Sequence, residues 1–121
     1  PLTWDRSLLD VALELNAEAI VVAADKLGTL NHTRLTVEML RVAGIPVSCV
    51  VLSDVSQDGQ PRLSDPMWRT APPHDASVGT NYDSLMRLAN MPPVFRLPFV
   101  RTLEDEADAL RPAAKALMEL E

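Results

Sequence analysis

Apolar residues along this chain follow two patterns, and each pattern predicts its own kind of element. Between residues 5 and 16 they recur at helical spacing, which is typical of an amphipathic helix, and Asp5 or Ser7 is a suitable N-cap. Residues 19–24 instead form a continuous apolar run, and residues 47–52 are again rich in valine. Runs of this kind are typical of strands that are covered on both faces, and such strands are usually parallel. The pattern therefore predicts one helix followed by two buried, parallel strands.

A second helical pattern connects the two apolar runs. It follows a polar turn at residues 25–29 and ends at Gly44, with Pro46 just beyond as a further stop. A strand, a helix and a strand in this order predict a βαβ unit, whose crossover we expect to be right-handed.

The regular pattern is interrupted between residues 54 and 79. This stretch holds four of the ten prolines and two of the four glycines. A loop of this length within a compact domain is usually a functional lid or a disordered insert, so we expect a long proline-rich loop or lid at 54–79. The pattern then predicts a short helix capped by Thr80 or Asn81, a third strand within residues 93–98, and a last helix from residue 102 to the end.

The order of these elements predicts an α/β fold. We expect a single domain over residues 1–121, with three layers in which helices flank a mostly parallel sheet. The chain has 121 residues, of which 47% are hydrophobic, and this is enough for one core. Because the sequence opens on Pro1 rather than on methionine, we also expect it to be part of something larger.

Net charge limits the partners. Acidic side chains outnumber basic ones 17 to 11, which argues against the basic surface that nucleic acid or an anionic membrane selects. No apolar run approaches the roughly 20 residues of a membrane span. The single cysteine, Cys49, lies within the second predicted strand, where we expect a buried and inert thiol. We therefore expect a cytoplasmic protein whose partners include neither nucleic acid nor membrane.

The turn after the first strand is the best candidate for a ligand site. The sequence Gly28-Thr29-Leu30-Asn31 leads into a helix, whose first N–H groups lie at the carboxyl edge of the sheet and favour an anion. Gly28 would let the backbone approach a ligand, and Asn31 or Thr29 could cap the helix or bond the ligand directly. The alternative is an ordinary glycine turn followed by an asparagine cap. Lys26 could neutralise an anionic ligand or could simply be solvated.

A nucleotide phosphate loop is excluded by counting. No two of the four glycines lie close together, so neither GxxxxGK[ST] nor GxGxxG occurs in these residues. Neither histidine has a second ligand at metal spacing. We accordingly predict no catalytic and no metal-binding residue in this chain.

Residues 26–33, Lys-Leu-Gly-Thr-Leu-Asn-His-Thr, resemble the signature of the dethiobiotin synthetase family of the P-loop ATPase class. Residues 1–3, 43–47, 51–54 and 90–98 resemble further segments of that family. The resemblance covers nearly the whole chain but only the C-terminal half of the family. Cobyrinate amidase-type proteins carry looser versions of the 26–33 block.

The resemblance implies a partial P-loop NTPase-like fold and an ATP-dependent ligase of biotin biosynthesis. The family uses ATP and Mg²⁺ to close a ureido ring on diaminononanoate and CO2. Its Walker A loop, catalytic lysines and magnesium carboxylates lie in the N-terminal half. We therefore expect ATP and Mg²⁺ as cofactors of the family, a missing N-terminal half as a partner, and no activity from this chain alone.

The resemblance also implies two groups of ligand contacts. The family receives the substrate carboxylate at a Gly-x-Leu/Ile-Asn turn across a homodimer interface. The matching substrate-binding residues here are Gly28, Thr29, Leu30 and Asn31.

The family's adenine contacts come from an Asn-Asp pair at the end of a strand and from a later proline segment. The matching nucleotide-binding residues here are Ser53, Asp54, Leu97, Pro98 and Phe99. Ser53 stands in place of the amide that would pair with the base edge, so the resemblance leaves adenine selectivity open.

Three functions follow from these observations. The preferred function is the substrate-carboxylate and dimer half of a dethiobiotin synthetase-like enzyme that takes a diamine carboxylate. The alternative is a non-catalytic module, derived from that family, which binds small carboxylates or dimerises. The third is an α/β fragment whose apolar edge strand is covered by self-association.

Overall fold

The predicted order of helices and strands is confirmed by the computed structural model. It describes residues 2–54, 77–99, 110–112, 114–116 and 118–119. The elements in chain order are α1 (Leu8–Glu14), β1 (Ala19–Ala24), α2 (Thr29–Val42), β2 (Val47–Ser53), α3 (Asn81–Arg87) and β3 (Val94–Leu97).

Two sequence predictions fall partly outside the described residues. Most of the predicted loop or lid at 54–79 lies there, as does the beginning of the predicted last helix. Residues 110–112, 114–116 and 118 are helical, in agreement with that last helix. Within the described ranges, no helix has the length and apolar character needed to cross a membrane.

The three strands form one parallel sheet in the order β1-β2-β3, so the predicted parallel α/β architecture is confirmed. Val21, Val50 and Val94 are partners across the three strands and therefore point to the same face. Together with side chains from α2 and α3 they form the buried core cluster, whose members are Val21, Val37, Val50, Leu52, Leu85 and Val94. Burying an aliphatic side chain of this size contributes about 1.5–3 kcal/mol, so this layer is what holds α2 and α3 on the sheet.

The second face of the sheet differs between the strands. On β2, Cys49 and Val51 are buried there, and burial raises the pKa of the Cys49 thiol, in agreement with an inert cysteine. On β1, Ile20 is 53% and Val22 is 66% exposed. The expectation that β1 is covered on both faces is therefore wrong. Within the described residues β1 pairs only with β2 and is therefore an edge strand. The margin of a sheet is less fully covered than its centre, and local sequence does not encode which strand lies there.

The N-cap positions of α1 and α3 are occupied by residues that the sequence predicts as caps. Ser7, rather than Asp5, is the N-cap of α1. Thr80 is the N-cap position of α3, although its hydroxyl donates to the Ser77 carbonyl oxygen at 2.9 Å instead of accepting from the helix.

Candidate functional site

The carboxyl ends of all three strands lie side by side. The Asp25 N–H, directly after β1, donates to the Ser53 carbonyl oxygen at the end of β2, at 2.8 Å. The Asp54 N–H donates to the Leu97 carbonyl oxygen at the end of β3, at 2.9 Å. In open parallel sheets this is the edge at which ligands bind. The two groups of predicted site residues therefore meet at one edge.

The N-terminus of α2 is formed by a glycine with a left-handed backbone. Gly28 is the N-cap with φ of 88°, no side chain caps the helix, and the first turn holds no acidic residue. The first turn is closed by Thr29 N–H, which donates to the Lys26 carbonyl oxygen at 3.1 Å, and by His32 N–H, which donates to the Gly28 carbonyl oxygen at 3.2 Å. The expectation that Asn31 or Thr29 caps this helix is therefore wrong. The chain needs φ > 0 one residue before Thr29, and glycine supplies it at little steric cost.

The four predicted substrate-binding residues lie together but differ in exposure. Gly28 and Asn31 are exposed, Leu30 is half-buried against the core cluster, and Thr29 is buried. A Cβ added to Gly28 would meet nothing within 4 Å, so this residue is needed for its φ rather than for lack of space. A ligand at this turn would meet backbone N–H groups and the side chain of Asn31.

A cavity of about 300 Å³ opens beside this turn, between β1 and the first turns of α2. Its polar lining includes Lys26, Thr29 and His32. Lys26 and His32 are exposed, and Lys26 lies two residues before Gly28, the N-cap at the positive end of the α2 dipole. The arrangement suits a small anion.

A buried carboxylate ties this turn to the start of α3. Asp25 is fully buried, and its Oδ1 accepts from Asn81 Nδ2 at 2.6 Å while its Oδ2 accepts from Gly79 N–H at 3.1 Å. Asn81 Nδ2 also lies 3.4 Å from the Lys26 carbonyl oxygen and 3.3 Å from Ser77 Oγ. The sequence places Asp25 with Lys26 at the end of a strand, which is a suitable place for chemistry, but it does not identify the partner of Asp25. Its partner is 56 residues away, and no local pattern points to it.

The predicted nucleotide-binding residues lie at the other end of the same edge. Ser53 and Leu97 are register partners on β2 and β3, and Pro98 and Phe99 follow as half-buried residues. Asp54 Oδ1 accepts from Arg96 Nε at 3.0 Å, and this hydrogen bond raises the pKa of the Arg96 guanidinium.

Sequence reasoning missed Arg96, although a lone cation in a four-residue strand was a usable signal. Its ion pair occupies the Asp54 carboxylate, whose side chain is only 17% exposed. Asp54 is therefore less free to meet a ligand than its place in the sequence suggests.

A larger cavity of about 530 Å³ lies between α1 and α2, away from the sheet edge. Its lining is apolar apart from one threonine and consists of Leu8, Leu9, Ala12, Leu35, Thr36, Met39 and Leu40. Because it holds no charged group, it does not suit the anion that the α2 N-terminus favours.

Comparison with known proteins confirms the family resemblance. A family model described as "AAA domain" matches residues 1–107. The chain is 36% identical over 110 residues to the ATP-dependent dethiobiotin synthetase of Anaeromyxobacter dehalogenans (strain 2CP-C), covering 91% of this chain and 43% of that protein. It is 29% identical over 118 residues to the ATP-dependent dethiobiotin synthetase of Bacillus cereus (strain G9842), covering 98% of this chain and 43% of that protein.

The chain thus spans less than half the length of the curated relatives that it matches. No solved structure gives a significant match. The open sheet of parallel strands with flanking helices agrees with the expected partial P-loop NTPase-like fold.

Proposed function

The chain belongs to the AAA domain family, and on that premise we propose that it supplies the substrate-carboxylate site of a dethiobiotin synthetase-type, ATP-dependent ligase. One observation carries the proposal: the N-terminus of α2 is capped by no side chain, lacks acidic residues, and opens at the carboxyl edge of a parallel sheet. The ligand is the carboxylate of a diamine such as diaminononanoate.

The physical basis is the pairing of an anion with a helix N-terminus. The N–H groups of Leu30 and Asn31 lie in the first turn of α2, where the helix itself provides no carbonyl acceptor for them. The helix dipole adds positive potential at the same place. Lys26 adds a full positive charge nearby. Each of these contributions is modest, about 0.3–1 kcal/mol for a carboxylate near an exposed helix end, so the site would work by summing them.

The nucleotide is a more limited part of the proposal. Leu97, Pro98 and Phe99 would lie against a base, with Ser53 near its edge. Mg²⁺ and the phosphates do not fit the residues at hand. No three side chains of metal-ligating type converge within the described ranges, and these 121 residues contain no glycine-rich phosphate loop. We therefore derive no phosphoryl-transfer step from this chain and expect no ATP hydrolysis by it alone.

Calorimetric titration of the 121-residue chain with diaminononanoate tests the carboxylate site. We expect saturable binding that is lost or strongly weakened in Gly28→Ala, because φ of 88° is strained for alanine. Gly44→Ala is the matched control, since Gly44 also has positive φ, at 80°, and open space around it, but lies at the far end of α2. Equal affinities of the wild type and both variants would contradict a carboxylate site at the N-terminus of α2.

A dimerisation module is the second candidate, and the exposure of Ile20 and Val22 on β1 supports it. Apolar side chains on a strand with one paired edge favour association with another chain. Light scattering after size-exclusion chromatography tests this, with a homodimer expected for the wild type and a monomer for Val22→Lys. A wild-type monomer at high concentration would contradict it.

A further inference from the structure

Asp25 is a buried carboxylate for which the carboxylate-binding function gives no role. It is fully buried, yet within the described residues its side-chain oxygens accept only from an amide and a backbone N–H, those of Asn81 and Gly79. Arg96 attracts Asp25 only through space, without an ion-pair contact, so burying this carboxylate is costly and hydrogen bonds must offset that cost.

The contacts of Asp25 lead directly to the anion-binding turn. Asn81 Nδ2 is 2.6 Å from Asp25 Oδ1 and 3.4 Å from the Lys26 carbonyl oxygen. The same carbonyl oxygen accepts from Thr29 N–H at 3.1 Å, which is the bond that closes the turn before α2. A continuous chain of hydrogen bonds therefore runs from Asp25 through Asn81 to the first residue of α2.

We propose that Asp25 is a positioning residue for the carboxylate site, acting through Asn81 to hold the Lys26–Thr29 turn. The identity of the ligand rests on the proposed function, whereas the hydrogen bonds that hold the turn do not depend on it. Asp25 does not touch the ligand. Its carboxylate orients the Asn81 amide, and the oriented amide keeps the Lys26 carbonyl oxygen in the position that closes the turn.

The chemistry of the pair explains why aspartate stands at this position. A carboxylate accepts at both oxygens and thus serves the Asn81 amide and the Gly79 N–H together. Asparagine at position 25 would place its own NH2 group against one of these two donors. Two donors face to face leave one buried group unsatisfied, which is more costly than losing an exposed bond.

Backbone amide hydrogen exchange, followed by NMR on the 121-residue chain without ligand, tests the geometry. In Asp25→Asn we expect faster exchange at Thr29 and Gly79 by about tenfold, with Val50 and Leu52 in the central strand unchanged. Asp83→Asn is the matched control, because it makes the same change of side chain at an exposed position of α3, the helix that carries Asn81. Unchanged exchange at Thr29 in Asp25→Asn would overturn the proposal.

Asn81→Ser separates positioning from folding and replaces Asp25→Asn if that variant does not fold. Serine keeps one hydroxyl donor for Asp25 but cannot reach the Lys26 carbonyl oxygen as well. We expect near-normal exchange at Gly79 together with fast exchange at Thr29. Normal exchange at both amides would show that Asn81 does not hold the turn, and the proposal would fail.

Titration with diaminononanoate links the geometry to the ligand. Where the wild type binds, we expect Asn81→Ser to weaken affinity by about tenfold, which would support the positioning role, and an unchanged affinity would overturn it. Absence of binding by the wild type itself would reject the proposed function, while the exchange results would still decide whether Asp25 holds the turn.

Discussion

The N-termini of α1 and α2 differ in how their unpaired backbone N–H groups are treated. At α1, Ser7 Oγ accepts from Asp10 N–H at 3.4 Å, and the Asp10 carboxylate accepts from Ser7 N–H at 2.6 Å, so the helix closes its own end with a capping box. At α2, Gly28 provides no side chain, and no acidic residue lies in the first turn. One helix end carries its own anion and the other does not.

This difference supports the proposal that the N-terminus of α2, and not that of α1, takes a ligand. The capping box satisfies the N–H groups of Ser7 and Asp10, and the Asp10 carboxylate compensates the dipole, so an external anion would gain little there. The end of α2 forgoes the stability that a cap gives and faces the cavity beside Lys26. The open end also lies at the carboxyl edge of the parallel sheet, where open sheets of this kind bind ligands.

A negative charge introduced into the first turn of α2 should change ligand affinity more than any other substitution considered below. Asn31→Asp places a carboxylate in the first turn, where we expect it to stabilise the chain by about 0.3–1 kcal/mol through the dipole. The same charge repels a bound carboxylate and should weaken diaminononanoate binding by roughly tenfold or more. Thermal unfolding and calorimetry on the same variant measure both. Tighter binding of diaminononanoate by Asn31→Asp would contradict the view that the uncapped end of α2 holds the carboxylate.

Removing the cap of α1 should change stability without changing binding. We expect Ser7→Ala to lower the free energy of unfolding by about 1 kcal/mol, because the Asp10 N–H loses its acceptor. Denaturant unfolding measures the loss, and titration with diaminononanoate should give the wild-type affinity. A loss of affinity as large as that in Gly28→Ala would mean that the two helix ends are not independent.

Lys26 should have a smaller effect, confined to binding. Because its side chain is exposed, its attraction to a carboxylate is screened, and we expect Lys26→Gln to weaken binding by roughly two- to fivefold. The difference between variant and wild type should shrink at high salt, which calorimetry in two salt concentrations would detect. A salt-independent difference would assign Lys26 a role other than its charge.

The smallest effect concerns the acid behaviour of α1. Hydrogen bonds from Ser7 hold the pKa of Asp10 below its ordinary value of 3.8. Since the folded-state pKa is the lower one, the stabilisation is complete above pH 3.8 and is lost as pH falls through the folded-state pKa. Acid unfolding of the wild type should therefore show a stability loss below that pH which Asp10→Asn lacks. Identical acid profiles would contradict the role of the capping box.

Local sequence pattern predicted the fold better than the site. The apolar runs of β1 and β2 and the glycine with positive φ at position 44 are local signals, and they place the elements correctly. The exposure of Val22 was not predictable, because periodicity tells a strand from a helix but does not tell an edge strand from a central one.

The site escaped prediction where it depends on long-range pairs. Asp25 meets Asn81 across 56 residues, and Arg96 meets Asp54 across 42. Such contacts arise only after the strands have paired, so no spacing rule finds them. The Gly28 turn, by contrast, is local, and its position at the sheet edge followed from the strand–turn–helix order alone.

The central claim is that the open end of α2 binds a carboxylate and the capped end of α1 does not. Titrating the 121-residue chain with diaminononanoate while following backbone amide chemical shifts by NMR tests it most directly. The account predicts saturable shifts at Leu30 and Asn31, with the amides of Ser7 and Asp10 unchanged. Saturating ligand that leaves Leu30 and Asn31 unshifted, or that shifts both helix ends equally, would contradict it.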